Sequence, residues 1–288
     1  MIRARSQKPR TDHISESELL AMTKNMDEMH RDQALPAMKA AVTDWIESFR
    51  DTDKGERRAS SRRTFLLGSA GLGASGLLVA ACGSSSKSST PPTTMTPATS
   101  GSTGSGGALS GDLAVAATAA SLENLGVYAY SAGLQAATQG KLGKVPPAVA
   151  TFATTAKAQH MDHAQAWNAA LTAAGKQPVT ATDPKLTPTV NSLFAKVTNA
   201  GELASLALLI ENIAAQTYQA AIPALSASSS VAVAATIHPV EMQHAAILYY
   251  VLGQYPGIQG TQSNMYASGT PLAFNPTALA RPASDYSA

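Results

Sequence analysis

Three of the four glutamates that follow Cys82 stand where a helix would bury them. At helical spacing, Glu123 is surrounded by Ala116, Ala119, Ala120, Gly126, Val127 and Tyr130. Glu211 has Ala204, Ala207, Leu208, Ala214, Ala215 and Tyr218, and Glu241 has Ala234, Ile237, His238, His244, Ala245 and Leu248. Residues three, four and seven apart share one helix face, so each carboxylate points with the apolar stripe of its own segment. A buried carboxylate is costly unless it is paired or coordinated. Three that converge repel one another and drive at least one pKa strongly upward unless protons or a cation intervene. Either these carboxylates hold protons or they hold metal.

The surrounding sequence predicts an all-α domain. Alanine is abundant, aromatics make up 5% of the chain, and strand-type alternation of Val, Ile and Thr is nearly absent. Asp112 is placed to cap a helix running to about Gly140, and Gly143 and Pro146-Pro147 follow as breakers. A second helix is expected over 147–174, closed by Gly175. After a polar connector at 176–187 come a short helix at 188–198 and a long one at 200–225. The last helix, 227–254, is expected to kink or restart at Pro239. Two helices, a longer connection and two more helices form an up-down bundle with one crossover. Residues 83–111 are Ser, Thr, Gly and Pro almost throughout and read as a disordered tether, and 255–288 read as an extended tail.

The front of the chain reads as an address. Ser60-Ser61-Arg62-Arg63-Thr64-Phe65-Leu66-Leu67 resembles a twin-arginine export signal, with Arg62 and Arg63 as its paired arginines. The Gly- and Ala-rich run from Phe65 to Ala81 is short for a membrane span and suits a signal core. It ends Leu78-Val79-Ala80-Ala81-Cys82, which resembles a bacterial lipobox. That resemblance implies lipidation of Cys82, a mature chain starting there, and anchoring at the outer face of the cytoplasmic membrane or in the envelope. The implied partners are the twin-arginine export machinery and the membrane itself. Cys82 is the only cysteine, so one chain can form no disulfide and no cysteine-based zinc site. Gly71, Gly73 and Gly76 match a dinucleotide fingerprint in spacing, but no strand or βαβ unit surrounds them.

Residues 1–59 form an N-terminal extension ahead of the signal at 60–82, with a helical pattern over 15–50 carried by Leu19, Leu20, Met22, Met26 and Met29. Two readings stand: a small cytosolic segment that acts before export, or a start codon set too far upstream, with initiation at Met38 as the plainer account. Residues 1–63 hold thirteen Lys/Arg and eleven Asp/Glu, whereas the chain after Cys82 holds eight of each. That region has no basic field for phosphate contacts, so nucleic acid is excluded as a partner.

Histidines complete a candidate centre. His160 and His163 share a face of the second helix, and His244 shares one with Glu241. In chain order the residues are Glu123, His160-Met161-Asp162-His163, Glu211 and Glu241-Met242-Gln243-His244. Over residues 112–254 this resembles the ferritin-like di-metal carboxylate pattern of one Glu, a Glu-x-x-His, one Glu and a Glu-x-x-His, with the exported desiccation-related proteins as the nearest group. The resemblance implies Glu123 and Glu211 as terminal or chelating ligands, Glu241 as a bridge, and His163 and His244 on one metal each. His160 departs from it, because the family places a bridging glutamate there. That substitution makes a mononuclear site or an asymmetric pair the alternatives to a tight di-iron site. Asp162 lies off the ligand face. Tyr130 and Tyr218 read first as core packing, with hydrogen bonds to the carboxylates as the other role, and His238 reads as structural. Mixed imidazole and carboxylate ligands suit iron, manganese or zinc, and affinity order alone does not select among them; the ferritin-like resemblance implies iron first. The expected function is metal handling or redox chemistry in an exported, lipid-anchored protein. The alternative is a non-enzymatic envelope module with a degenerate metal site. A hydrolase is not supported: no Gly-x-Ser-x-Gly is present, and Cys82 belongs to the export signal.

Overall fold

A computed structural model describes residues 15–68, 109 and 111–253. Every regular element among them is a helix: α1 (Glu16–Met29), a π-helical turn (His30–Ala34), α2 (Leu35–Gly68), α3 (Asp112–Thr138), α4 (Pro147–Ala173), α5 (Thr187–Phe194), α6 (Ala200–Ala221), a 3₁₀ turn (Ile222–Ala224) and α7 (Ser228–Val251). The expected helices of the bundle are all present, within a few residues of their expected ends. Arg62 and Arg63 fall in the last turns of α2. Cys82, nearly all of the 83–111 tether and the 255–288 tail lie outside the described residues. No helix among the described residues is long and apolar enough to cross a membrane.

The helix ends follow local chemistry. α3 and α4 close on Gly140 and Gly175, both at φ +72°. At each end two amides return to the last turn: Gly140 N to Ala137 O with Lys141 N to Ala136 O, and Gly175 N to Thr172 O with Lys176 N to Leu171 O. The left-handed conformation these caps need is cheap only for glycine. α6 begins on Asn199, whose side chain accepts from Glu202 N, while Glu202 itself accepts from Thr198 N. Capping explains why Glu202 is the one exposed glutamate after Cys82.

One expectation changes and another narrows. Asp112 does not cap its own helix, because Gly111 occupies that position. The Asp112 carboxylate instead accepts from Ser226 N, Ala227 N (both 2.9 Å) and Ser230 Oγ, and so holds the start of α7. Of the two possibilities at Pro239, the helix does not restart there. α7 runs unbroken from Ser228 to Val251 with Pro239 inside it.

α3 packs against α4 and α6 against α7, with α3 also facing α6. The crossover, which carries α5, is tied down by Asn124 Nδ2 donating to Val179 O and Ala181 O and by Asn168 Nδ2 donating to Val179 O. Contacts between α4 and α7 are sparse, and the N-terminal helix occupies the groove beside them. α1 runs parallel to α4: Glu16 meets the Ala148 amide at 3.4 Å, His30 meets His163, and Trp45 meets Trp167 edge-on at 6.1 Å. Leu19, Met26, Met38 and Trp45 are buried there. A chain that started at Met38 would lack Leu19, Met26 and His30. Among the described residues, those up to Phe49 and from Leu109 onward belong to one compact unit, and those from Arg50 to Gly68 to another.

Candidate metal centre

The core of the bundle holds the counter-charge that its glutamates require. Glu123 from α3, His160 and His163 from α4, Glu211 from α6, and Glu241 and His244 from α7 are all at most 1% exposed. All six expected ligand residues therefore meet in one place. His160 Nδ1 lies 2.7 Å from Glu123 Oε2, and its Nε2 lies 3.2 Å from Glu211 Oε1. His163 Nδ1 is 2.8 Å from Glu241 Oε1 and 3.5 Å from Glu123 Oε2. His244 Nδ1 is 3.2 Å from Glu211 Oε2 and 3.4 Å from Glu241 Oε2. Two overlapping quartets result: Glu123, His160, His163 and Glu241, and His160, Glu211, Glu241 and His244, with the donor atoms of each within 4.8 Å of one another.

Burial and charge act against each other in the cluster. Burial raises the Glu123 carboxyl, but the charge of His163 and the hydrogen bond from His160 outweigh it and bring the group down to about 2. Glu211 is held well below the usual carboxylate range in the same way: burial opposes it, and His244 and His160 prevail. The imidazoles move the opposite way. Burial lowers His160, yet Glu241 and Glu211 lift it well above its ordinary value. His163 rises to about 9 against burial, chiefly through Glu123. Without metal, protons on the imidazoles balance the carboxylates. Divalent ions would replace those protons.

The residues fit a metal on a further observation. Both oxygens of Glu241 and Nδ1 of His163 are fully buried without a hydrogen-bond partner. The 2.8 Å approach of His163 to Glu241 is thus a short contact whose angles are wrong for a hydrogen bond. Buried polar atoms crowded together without bonding one another are what a shared metal ion satisfies.

Neighbouring side chains hold the ligands in place. Tyr130 Oη donates to Glu211 Oε1 at 2.5 Å, and Tyr218 Oη donates to Glu123 Oε1. Tyr218 in turn accepts from Trp167 Nε1 at 2.8 Å. Both tyrosines are buried, and the hydrogen-bonding role replaces the plain packing expected first. Gln159 Oε1 lies 2.8 Å from His244 Nε2, which puts a proton on that nitrogen and turns Nδ1 towards Glu211 and Glu241. Asn124 and Gln243 point away, as expected: Asn124 pins the crossover, and Gln243 reaches Met29 Sδ on α1. His238 stays outside the cluster, half-buried and lowered by its burial.

Sequence reasoning missed three contributors. Gly126 lies one turn from Glu123, and a Cβ there would sit 2.9 Å from three ring atoms of His160. Gln159 is adjacent to His160 in the chain, and nothing in its own sequence context marks it. His30 is 2% exposed, with its ring 5.4 Å from that of His163 and its Nε2 without a partner. Burial first, and then the charge of His163, lower His30 to about 3, so it is a neutral imidazole. The His30 signal lay in the methionine- and leucine-bearing periodicity of the extension, whose buried face includes position 30.

An apolar cavity adjoins the centre behind Tyr130 and Phe152, lined further by Gly133, Leu142, Val149 and Leu203. It brings no charged group to the ligands.

No curated protein and no solved structure matches the chain. The family model described as the ferritin-like domain matches residues 111–254, half of the 288-residue chain and the span of α3 to α7. With the all-helical bundle and its buried Glu/His cluster, the match places this chain in the ferritin-like domain family.

Proposed function

We propose that this protein binds one or two transition-metal ions through Glu123, His160, His163, Glu211, Glu241 and His244, and serves in metal handling or redox chemistry. The observation that carries the reading is Glu241, whose two buried oxygens face His163 on one side and His244 on the other and have no hydrogen-bond partner. A carboxylate so placed needs a cation beside it, a metal ion or a protonated imidazole, and neither neighbouring imidazole bonds it. The nitrogen and oxygen donor set suits iron first, and manganese or zinc as well. When bound, iron supplies one-electron and oxygen chemistry. The chain's part is to hold the carboxylates through Tyr130 and Tyr218, to orient His244 through Gln159, and to keep bulk water away from donors that are at most 1% exposed.

The test is metal analysis of the purified full chain after incubation with iron(II), manganese(II) or zinc(II). Stoichiometric metal, lost in a Glu211→Ala, His244→Ala double variant, is the expected result. No uptake of any of the three would sink the reading.

A second reading has its own observation. The ring of His160 lies within hydrogen-bond distance of both Glu123 and Glu211. A protonated His160 could therefore satisfy the core by itself, which suits a non-enzymatic envelope module with a degenerate centre. Failure of metal uptake would favour it.

For location, Arg62-Arg63 and the Leu78–Cys82 pattern support export through the twin-arginine machinery and lipid anchoring at Cys82, on the outer face of the cytoplasmic membrane or in the envelope. The membrane is then a partner and nucleic acid is not. Labelling of cells with a radioactive fatty acid should mark the chain and leave a Cys82→Ser variant unmarked. Equal labelling of both would remove the anchor.

A further inference from the structure

His160 differs from the other ligand histidines in that each of its two ring nitrogens faces a different carboxylate. Nδ1 lies on the side of Glu123 Oε2 (2.7 Å) and Glu241 Oε2 (3.7 Å), whereas Nε2 lies at Glu211 Oε1 (3.2 Å). The other imidazoles sort the same way. His163 Nδ1 belongs with Glu123 and Glu241 Oε1, and His244 Nδ1 with Glu211 and Glu241 Oε2. Glu241 reaches both: its Oε1 lies with His163, and its Oε2 lies between the sides, 3.4 Å from His244 Nδ1 and 3.7 Å from His160 Nδ1. The centre is thus two half-sites that share two residues, and one of the shared residues is an imidazole.

The ring is fixed in this attitude. Its face lies on the backbone of Gly126, with no room for even a Cβ. The Tyr130 ring lies 5.7 Å away at an interplanar angle of 31°, and the His244 ring 5.1 Å away at 58°. Rotation that would point both nitrogens to one side is blocked by packing.

We propose that His160 bridges two metal ions as an imidazolate, Nδ1 to the ion held with Glu123 and His163, and Nε2 to the ion held with Glu211 and His244, with Glu241 facing both. This rests on the metal-binding reading above. Forming the imidazolate releases the N–H proton of the His160 ring to solvent as the ions bind. The bridge sets a distance. Metal–nitrogen bonds of about 2.0–2.1 Å at either end of an imidazole put the ions about 6 Å apart. Close two-metal sites hold theirs at about 3.5–4 Å. A glutamate at position 160 would restore the shorter bridge, so the histidine trades a tight pair for a spaced one.

The experiment loads the full chain with copper(II) and reads stoichiometry and the electron paramagnetic resonance spectrum. Two ions per chain with a spin-coupled spectrum and a dipolar splitting for about 6 Å are expected. His160→Glu should shorten the separation to about 4 Å or less. His160→Gln should abolish the coupling, with helicity checked by circular dichroism. A wild-type separation under about 4 Å, a single ion per chain, or coupling that survives in His160→Gln would overturn the bridge while leaving metal binding intact. Absence of any bound metal would overturn both readings. The wild-type measurement decides even if a variant fails to fold.

Discussion

Gly126→Ala separates the packing of the helices from the assembly of the centre. A Cβ at 126 would meet three ring atoms of His160 at 2.9 Å, closer than real Cβ atoms come. Overpacking of a filled core costs about 1–3 kcal/mol. Alanine in place of a mid-helix glycine returns about 1 kcal/mol of helix propensity. The two nearly offset, so a net loss of about 0–2 kcal/mol is expected in urea unfolding, and stability alone is a weak readout. The site is the sensitive one. His160 is held on several sides, by Glu123, Glu211, Tyr130 and His244, and can yield only by leaving the carboxylates it bridges. Metal stoichiometry or affinity should therefore fall at least tenfold more than the stability change would suggest. Gly133→Ala is the control. Its Cβ would also press at 2.9 Å, but on the flexible end of Leu203, away from the ligands. If Gly126→Ala bound metal like wild type and gained stability, the claim that glycine makes room for His160 would be refuted.

Three further outcomes are expected. Tyr218→Phe strips Glu123 and the Trp167 N–H of a buried partner, and should cost about 1–3 kcal/mol in urea unfolding. An unchanged midpoint would show that the bond contributes nothing. Asp112 carries a pH signature. Burial pushes its carboxyl up, but hydrogen bonds from Ser230, Ala227 and Ser226 bring it below its ordinary value. A depressed folded pKa means stability that is present above the unfolded value near 4 and lost as pH falls through the folded one. Asp112→Ala should cost about 1 kcal/mol at pH 7 and the difference should fade below about pH 4, whereas a pH-independent deficit would contradict the assignment. Trp45→Ala empties a fully buried site against Trp167 and should cost about 3–5 kcal/mol, with amide exchange over residues 16–49 rising first. Uniform exchange across the bundle would argue against separate docking of that helix.

The bundle and six of its site residues were legible because they obey local rules. A glutamate flanked by alanines at helical spacing can only point inwards, and Gly140 and Gly175 end helices wherever they fall. What the sequence hid depended on partners distant in the chain. The roles of Tyr130 and Tyr218 needed the facing helix, 81 and 95 residues away, to become hydrogen bonds. Asp112 looked like a cap for its own helix because its preference is local, yet Gly111 took that position and left the carboxylate free for α7. Pro239 reads as a breaker on propensity, but packing on both sides of it at Ile237 and Val240, each at most 3% exposed, carries the helix through. For His30 the periodicity of the extension marks a buried face, but nothing in a window of a few residues says that a helix beyond a Ser/Gly linker returns to the bundle.

The docking of the N-terminal helix gives the Cys82 pattern a second meaning. Were the bond before Cys82 cut, as the lipobox resemblance implies, Trp45, Met38 and His30 would remain in place only through non-covalent contact. Their occupancy would then depend on concentration, where an intact chain guarantees it. Sorting and remodelling would be one event. The precursor would carry a sheathed centre with His30 against His163, and the anchored product would present a freshly bared groove along α4 and α7 to whatever the envelope supplies.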